Sequence, residues 1–213
     1  MKIAVCLAGN LRSFRETAKT WDDLRSKHDV QFFASIWDTI ESVGPAWHSQ
    51  DRPNRILTRK DKKDFFDLYS PTIARISKNV DCDPIESQWR LVGDSFTLAE
   101  ESQQHFDIVI RSRPDAYIHW LNPYIPAARE IVCTQRAVHS VCDATFFGDM
   151  ETMKLATAVR AAFPHFLEWR HGHAPEEMFA EYCRRRFLLV TMNRDALGLT
   201  LIRRDGSQLG LTA

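Results

Sequence analysis

The sequence has no excess of charge of either sign and no long apolar run. Its 213 residues include 28 lysines and arginines and 28 aspartates and glutamates, so the formal net charge at pH 7 is zero. A balanced chain argues against a nucleic-acid binder that works through a basic surface, so no nucleic-acid partner is expected. No apolar stretch approaches the roughly 20 residues that a membrane helix needs, so no transmembrane segment is expected either.

The sequence also lacks paired cysteines and recognisable zinc spacing. Its five cysteines are scattered and form no CxxC pair, which is typical of buried thiols in a reducing compartment. The apolar run Ile3–Ala8 is too short for the apolar region of a signal peptide, so we expect a cytoplasmic protein. No cysteine or carboxylate at zinc-binding spacing accompanies the histidines His165, His171 and His173, so zinc is not expected.

Strands alternating with helices are the main structural signal in the chain. The apolar runs Lys2–Ala8 and Val30–Ile36 predict two strands. Between them a helix reaching about His28 is predicted by the helical spacing of Phe14, Ala18, Trp21 and Leu24. Strand, tight turn, helix and strand open a parallel βαβ unit, and later segments continue the alternation. We therefore expect a single α/β domain over residues 1–213, with a mostly parallel central sheet flanked by helices.

The most informative stretch follows the apolar run Ile108–Ile110, which predicts a buried strand. If the backbone stays extended, Arg111, Arg113 and Asp115 point the same way, because strand side chains alternate between faces. Pro114 cannot donate to the sheet, so the ladder is expected to open here, where ligands bind in open α/β sheets. Two cations and one carboxylate suit a diphosphate and its divalent metal. A purely structural ion pair at a strand end is the alternative.

The loop Gly9–Ser13 follows the first strand and precedes the first predicted helix. Free backbone N–H groups at a helix N-terminus attract phosphate, and Arg12 adds a positive charge. The loop has neither the Gly-Lys-Ser/Thr of a Walker motif nor the GxGxxG dinucleotide pattern, and a plain strand-to-helix turn explains the same residues. A diphosphate site requires this loop to lie beside Asp115, and it requires that carboxylate to be accessible.

Two further stretches carry alternative interpretations. The segment Asp81–Asp83 has the form Asp-x-Asp, but Pro84 follows it, so we interpret it as a loop that caps a helix and not as a metal motif. The long loop Thr39–Asn54 contains Trp47 and His48, which could line a pocket or simply pack.

Taken together, these stretches resemble a family of small GT-A-type glycosyltransferase-like proteins found in bacterial surface-polysaccharide clusters and in large DNA viruses. The matching segments run in the family's order and are Ala8–Phe14, Phe32–Asp38, Asp107–Asp115, Asp143–Gly148 and Pro175–Glu176. The resemblance implies a GT-A-like, Rossmann-like fold. It also implies transfer of a sugar from a nucleotide-sugar donor to a glycan acceptor, in polysaccharide biosynthesis.

The resemblance implies a metal as well. In GT-A enzymes an Asp-x-Asp at a strand end holds manganese or magnesium. Asp115 falls where the second aspartate would stand, and Arg113 falls where the first would be. A lone carboxylate can hold Mn²⁺ or Mg²⁺ when phosphate oxygens and water fill the other positions. Alternatively, the arginines themselves neutralise the diphosphate.

The resemblance places donor binding on the first loop and on the strand ends. The expected donor-binding residues are Ala8, Gly9, Asn10, Arg12, Trp37, Asp38, Arg111 and Arg113, with Asp115 for the metal. Asp143 and Glu176 are the expected catalytic carboxylates, with Glu176 slightly favoured as the acceptor base. At the start of a helix, Glu176 could instead complement only the helix dipole. A non-catalytic nucleotide- or glycan-binding module and a phosphate-ester hydrolase are the alternative functions.

Overall fold

The computed structural model describes residues 1–40, 55–79, 84–137, 140–162, 175–193, 195–202 and 208–210. Several residues considered above lie outside this part of the chain, namely Trp47, His48, Asp81, Asp83, His165, His171 and His173.

A seven-stranded sheet forms the centre of the molecule. The strands of the described residues are β1 (Lys2–Gly9), β2 (Asp29–Trp37), β3 (Ile73–Ser77), β4 (Ile108–Ser112), β5 (Ala116–Leu121), β6 (Glu130–Ala137), β7 (Ser140–Gly148), β8 (Leu189–Met192), β9 (Leu197–Ile202) and β10 (Gln208–Gly210). The large sheet has the order β3-β2-β1-β4-β7-β6-β8, and only β7 runs antiparallel to its neighbours. The predicted mostly parallel α/β sheet is confirmed.

Strand β1 is central, and its sequence shows why. Every residue from Ile3 to Ala8 is buried, so the strand reads as a continuous apolar run instead of an alternating one. Ile3, Val5 and Leu7 belong to the core on one face of the sheet. Ala4, Cys6 and Ala8 belong to the core on the other face. The molecule therefore has a sheet with a hydrophobic core on each side.

Helices cover both faces. They are α1 (Phe14–Thr17), α2 (Asp22–Lys27), α3 (Arg59–Tyr69), α4 (Pro84–Glu101), α5 (Met150–Thr157), α6 (Val159–Ala162) and α7 (Pro175–Arg185). Helices α1 to α3 pack on the Val5 face, and α4 to α7 pack on the Cys6 face. Within the described ranges, no helix is long and apolar enough to cross a membrane.

The prediction of one continuous helix from Phe14 to His28 is wrong. The chain instead forms α1, a 3₁₀ turn over Ala18–Trp21 and then α2. The Thr17 hydroxyl contacts the carbonyl oxygen of Phe14 at 3.2 Å, and the Thr20 hydroxyl donates to the carbonyl oxygen of Thr17 at 2.7 Å. Threonine hydroxyls that bond to backbone carbonyls in this way compete with regular helix. The apolar residues that gave the helical spacing are nevertheless all buried in one core.

A small antiparallel sheet of order β10-β9-β5 was not predicted. It packs on the same face as α1 to α3, where Leu197 and Leu199 of β9 are fully buried. Strand β5 begins directly after Asp115 and pairs with β9 near the other end of the described chain. A pairing between segments so far apart leaves no local sequence signal.

Candidate functional site

The sequence-predicted segments meet at one edge of the large sheet. Strands β1, β2 and β4 are parallel, and their register places Gly9 beside Ile36 and Leu7 beside Ser112. The loop after β1, the end of β2 and the turn after β4 therefore leave the sheet at its carboxyl edge. Ligands bind at this edge in open α/β sheets.

The first loop and the turn after β4 are in direct contact. Gly9 has a φ of 137°, and a Cβ placed there would lie 3.6 Å from Cδ of Pro114. The carbonyl oxygen of Pro114 accepts a hydrogen bond of 2.5 Å from the Thr17 hydroxyl, and the hydroxyl of Tyr69 lies 3.4 Å away. These two hydrogen bonds fix the turn against α1 and α3. The loop lies beside the turn through Gly9 and through Arg12, whose Nη1 is 3.6 Å from Oδ2 of Asp115, so the first requirement of a diphosphate site is met.

Asp115 is bound by two arginines at this junction. Nε of Arg113 donates to Oδ1 and Nη2 donates to Oδ2, both at 2.7 Å, and Nη1 of Arg12 lies 3.6 Å from Oδ2. Burial works to raise the pKa of the Asp115 carboxyl, but the charges of Arg113 and Arg12 outweigh it and hold the pKa below its usual value. Asp115 is therefore an anion that shares two cations.

The second requirement, an accessible carboxylate, is not met in this conformation. Asp115 is only 2% exposed, whereas the side chains of Arg12 and Arg113 are 10% and 20% exposed. The groups of this junction that reach the surface are therefore the two guanidiniums, so the exposed part of the junction is cationic.

Arg111 occupies a different position from the one expected. The strand ends at Ser112, and the backbone N–H of Ala116 closes a turn on the carbonyl oxygen of Arg113, so the extended geometry assumed from the sequence does not continue. Arg111 is fully buried on the Cys6 face, where its Nη1 donates to the carbonyl oxygen of Ala144. Among the described residues, its Nε and Nη2 have no hydrogen-bond partner. A direct contact between Arg111 and a diphosphate would need this guanidinium to become exposed.

Burial and charge act on Arg111 in opposite directions. Burial lowers the pKa of its guanidinium to about 10, and the nearby charge of Asp143 opposes this effect. A buried cation with two unused donors is costly in free energy. Packing alone therefore does not explain why Arg111 is buried in the core.

Asp143 belongs to the same charged cluster. It lies on β7, is 4% exposed, and its Oδ2 accepts a hydrogen bond of 2.5 Å from Nε2 of Gln88 on α4. Its charge acts to raise the pKa of both Arg111 and Arg113. Gln88 was not predicted as a site residue, because it lies between the apolar positions of α4 and binds a residue 55 positions away.

The side chains of Trp37 and Asp38 both make contacts with other residues of the protein. Trp37 is 3% exposed in the core of the Cys6 face, and the guanidinium of Arg90 lies 4.5 Å from its ring centroid. Asp38 is half-buried, and its Oδ1 accepts a hydrogen bond of 2.9 Å from the backbone N–H of Asn79. Of the other expected donor residues, Ala8 is buried and Asn10 is half-buried in the first loop. A nucleotide could reach Asp38 and Asn10 more readily than Trp37 or Ala8.

Glu176 lies in the first turn of α7 and is 4% exposed. Helix α7 is fixed by Phe179, whose ring stacks 4.8 Å from Trp89 of α4 and 4.8 Å from Phe146 of β7. The helix ends where β8 begins, and the N–H of Leu188 bonds back to Cys183. The opposite end of α7 therefore lies toward the carboxyl edge, on the same side as Asp143.

The arrangement does not fit a divalent metal as it stands. Both carboxylate oxygens of Asp115 accept hydrogen bonds from Arg113. Over the described ranges, no group of three or more His, Cys, Asp or Glu residues is placed to hold a metal ion. A metal at Asp115 would require Arg113 to release at least one oxygen.

Comparison with known proteins finds similar structures but no similar sequence. No family model matches the sequence, and a search of curated proteins finds no match. The structure is similar to the crystal structure of a glycosyltransferase involved in the glycosylation of the major capsid of PBCV-1, with a TM-score of 0.51 and 11% sequence identity. The similarity covers 90% of this chain and 82% of that chain. At this identity it shows the fold, and it supports the predicted GT-A-like arrangement.

Proposed function

We propose that the protein is a glycosyltransferase that moves a sugar from a nucleotide-sugar donor to a glycan acceptor. The observation that carries this proposal is the cationic junction at the carboxyl edge, where Arg12 and Arg113 share Asp115. The similarity in fold to a viral glycosyltransferase supports it. Polysaccharide biosynthesis is the corresponding role in a cell.

The leaving group of such a transfer is a nucleoside diphosphate, whose charge must be neutralised in the transition state. Arg12 and Arg113 are the charged groups at the junction with partial exposure. A guanidinium about 4 Å from a phosphate oxygen contributes roughly 4 kcal/mol at an effective dielectric constant of about 20. Gly9 has no side chain, so a phosphate can approach the loop backbone closely.

The acceptor hydroxyl needs a carboxylate base in an inverting transfer. Asp143 and Glu176 are the two candidates. Asp143 is the stronger one because the residue that follows it, Ala144, accepts a hydrogen bond of 3.1 Å at its carbonyl oxygen from the backbone N–H of Arg113. This reverses the preference for Glu176 that the sequence favoured. Both carboxylates are 4% exposed, so the acceptor hydroxyl must enter the cluster to reach either of them.

A divalent metal is a separate part of the proposal. Asp115 is the candidate ligand, and Mn²⁺ or Mg²⁺ bound there would add positive charge at the diphosphate. Because Arg113 occupies both carboxylate oxygens, we assign charge neutralisation to the arginines first. Turnover should accordingly persist when the metal is chelated, and a strict requirement for Mn²⁺ would instead assign that role to Asp115.

The proposal is tested by assaying a panel of nucleotide sugars for transfer and hydrolysis, with and without Mn²⁺, for the wild type and Arg113→Met. We expect turnover of at least one donor, and we expect kcat/KM to fall about 100-fold in the variant, because a positioned cation that stabilises the leaving group is lost. Arg25→Met is the matched control, since Arg25 donates hydrogen bonds to the backbone carbonyls of Leu68 and Tyr69. Full activity of Arg113→Met would contradict the proposal.

A non-catalytic module that binds a nucleotide or a glycan is the second candidate. The burial of both candidate bases favours it, because a base must reach its substrate. Nucleotide binding that Arg113→Met abolishes, with no turnover in the wild type, would support this alternative. Turnover of a generic aryl phosphate would point to a hydrolase instead.

A further inference from the structure

The hydrogen bond between Gln88 and Asp143 joins a helix to the charged cluster. Gln88 lies in the first turns of α4 and is half-buried, while Asp143 lies on β7 and is almost fully buried. Their side-chain atoms Nε2 and Oδ2 are 2.5 Å apart. A neutral amide therefore holds a carboxylate in a place where two guanidiniums are also close.

Rigid packing fixes both partners of this bond. Trp89 follows Gln88 in the chain, is 1% exposed, and stacks on Phe179 of α7. The ring of Phe146, which lies on the same strand as Asp143, is 4.8 Å from the ring of Phe179 as well. Gln88 thus adjoins one member of this aromatic cluster and Asp143 lies three residues before another, so the core restricts the separation of the donor and the acceptor.

The unused donors of Arg111 show why such a bond is needed. Nε and Nη2 of Arg111 are buried without a partner in the described part of the chain, and its Nη1 donates to the carbonyl oxygen of Ala144, the residue that follows Asp143. A carboxylate free to rotate would gain a charge-assisted hydrogen bond by turning to that guanidinium. An Asp143 paired in this way would be less available to a substrate hydroxyl.

We propose that Gln88 is a positioning residue, which holds Asp143 away from Arg111 in the orientation that the transfer reaction uses. The inference rests on the proposed function for its catalytic part. Its structural part is that the Asp143 carboxylate accepts a hydrogen bond from Gln88 and not from Arg111. This part does not depend on any enzymatic activity.

The test combines a crystal structure with a double-mutant cycle. In Gln88→Met, which has nearly the same shape but no amide, we expect the Asp143 carboxylate to turn to Arg111 and to accept a hydrogen bond from it. We expect kcat to fall about 10- to 100-fold with the donor KM unchanged, because a misplaced catalytic group costs rate more than binding. In an Asp143→Asn background, Gln88→Met should have no further effect on kcat.

Gln31→Met is the matched control, because Gln31 also makes one partly buried side-chain hydrogen bond, of 2.8 Å, to Gln104. It should leave kcat unchanged.

Additive effects of Gln88→Met and Asp143→Asn would overturn the catalytic part of the inference. A Gln88→Met crystal structure with Asp143 unmoved would overturn its structural part. An inactive wild type would refute the proposed function and with it the catalytic part, and the crystal structure would still decide the structural part.

Discussion

Two buried aspartates, Asp61 and Asp115, are each bound by two arginines, but they differ in their other contacts. Asp61 binds Arg15 and Arg55, and it also accepts hydrogen bonds from the backbone N–H and the hydroxyl of Thr58 at 2.9 and 2.7 Å. Thr58 and Asp61 form a capping box at the start of α3. Asp61 therefore has a structural role at a helix terminus, and it serves as a reference for what a purely structural ion pair looks like.

Asp115 has no helix to cap. It lies in the turn after β4, where its carboxylate oxygens accept hydrogen bonds from the guanidinium of Arg113 and lie close to that of Arg12. The loop that faces it contains a glycine at a positive φ. Arg15 of the Asp61 cluster also pairs with Asp64, at 2.8 Å, so the two clusters differ in charge as well as in surroundings. For both reasons we place the proposed ligand site at Asp115 and not at Asp61.

At the residue scale we predict that Asp61→Asn lowers the free energy of unfolding by about 2 kcal/mol at pH 7, because a cap and two charge-assisted bonds are weakened. The hydrogen bond from Arg55 is the largest of the effects that hold the pKa of Asp61 below its usual value. A carboxyl with a lowered folded-state pKa stabilises the protein above its unfolded pKa, near about 3.9, and loses that contribution as the pH falls further.

The difference between wild type and Asp61→Asn should therefore be largest near neutral pH and should shrink below about pH 4. Urea unfolding followed by circular dichroism at several pH values measures it. Asp67→Asn is the control, because Asp67 forms an ion pair with Lys63 in which both side chains are exposed. It should change stability by less than about 0.5 kcal/mol. Equal stability of wild type and Asp61→Asn at pH 7 would contradict this assignment.

At the scale of elements, the loop after β1 and helix α4 contain glycines that differ in backbone conformation. Gly9 has a φ of 137°, which side chains rarely adopt, whereas Gly93 lies inside α4. A Cβ at either position would meet its nearest neighbour at 3.6 Å, an ordinary contact distance. Space is therefore equal at the two sites, and only the backbone conformation distinguishes them.

We predict that Gly9→Ala destabilises the protein by about 1–3 kcal/mol, through backbone strain, and weakens nucleotide binding because the loop moves away from Pro114. Gly93→Ala should instead stabilise it by up to about 1 kcal/mol, because alanine favours helix over glycine. Thermal unfolding of both variants, with nucleotide titration by calorimetry, measures the two effects. Equal and small effects in both variants would show that the loop tolerates another conformation.

At the scale of the whole molecule, the small sheet connects the candidate site to the far end of the described chain. Strand β5 starts directly after Asp115 and pairs with β9, whose Leu197 and Leu199 are buried in the main core. The turn that holds Asp115 is therefore fixed on one side by β4 and on the other side by β5.

We predict that Leu199→Ala lowers the free energy of unfolding by about 2–5 kcal/mol, the usual cost of a cavity in a core. Leu189→Ala is the matched control, because Leu189 is 60% exposed on β8, and it should cost less than about 0.5 kcal/mol. Chemical unfolding of both variants measures the difference. Similar costs for both leucines would mean that β9 does not contribute to the core.

The sequence by itself determined the main strands and most helices, and it determined that the first loop and the Arg113–Asp115 turn share one edge. Local periodicity specifies an element, and parallel connection specifies which strand ends meet, so both follow from the order of residues alone. Only the tertiary structure decided how Arg111, Asp115, Gln88 and Asp143 are partnered. The direction of a side chain beyond a strand end depends on the turn it enters and on contacts with distant segments, such as the 55-residue separation between Gln88 and Asp143. The pairing of β5 with β9 also depends on contacts between distant segments, because no local sequence pattern predicts which remote strand pairs with β5.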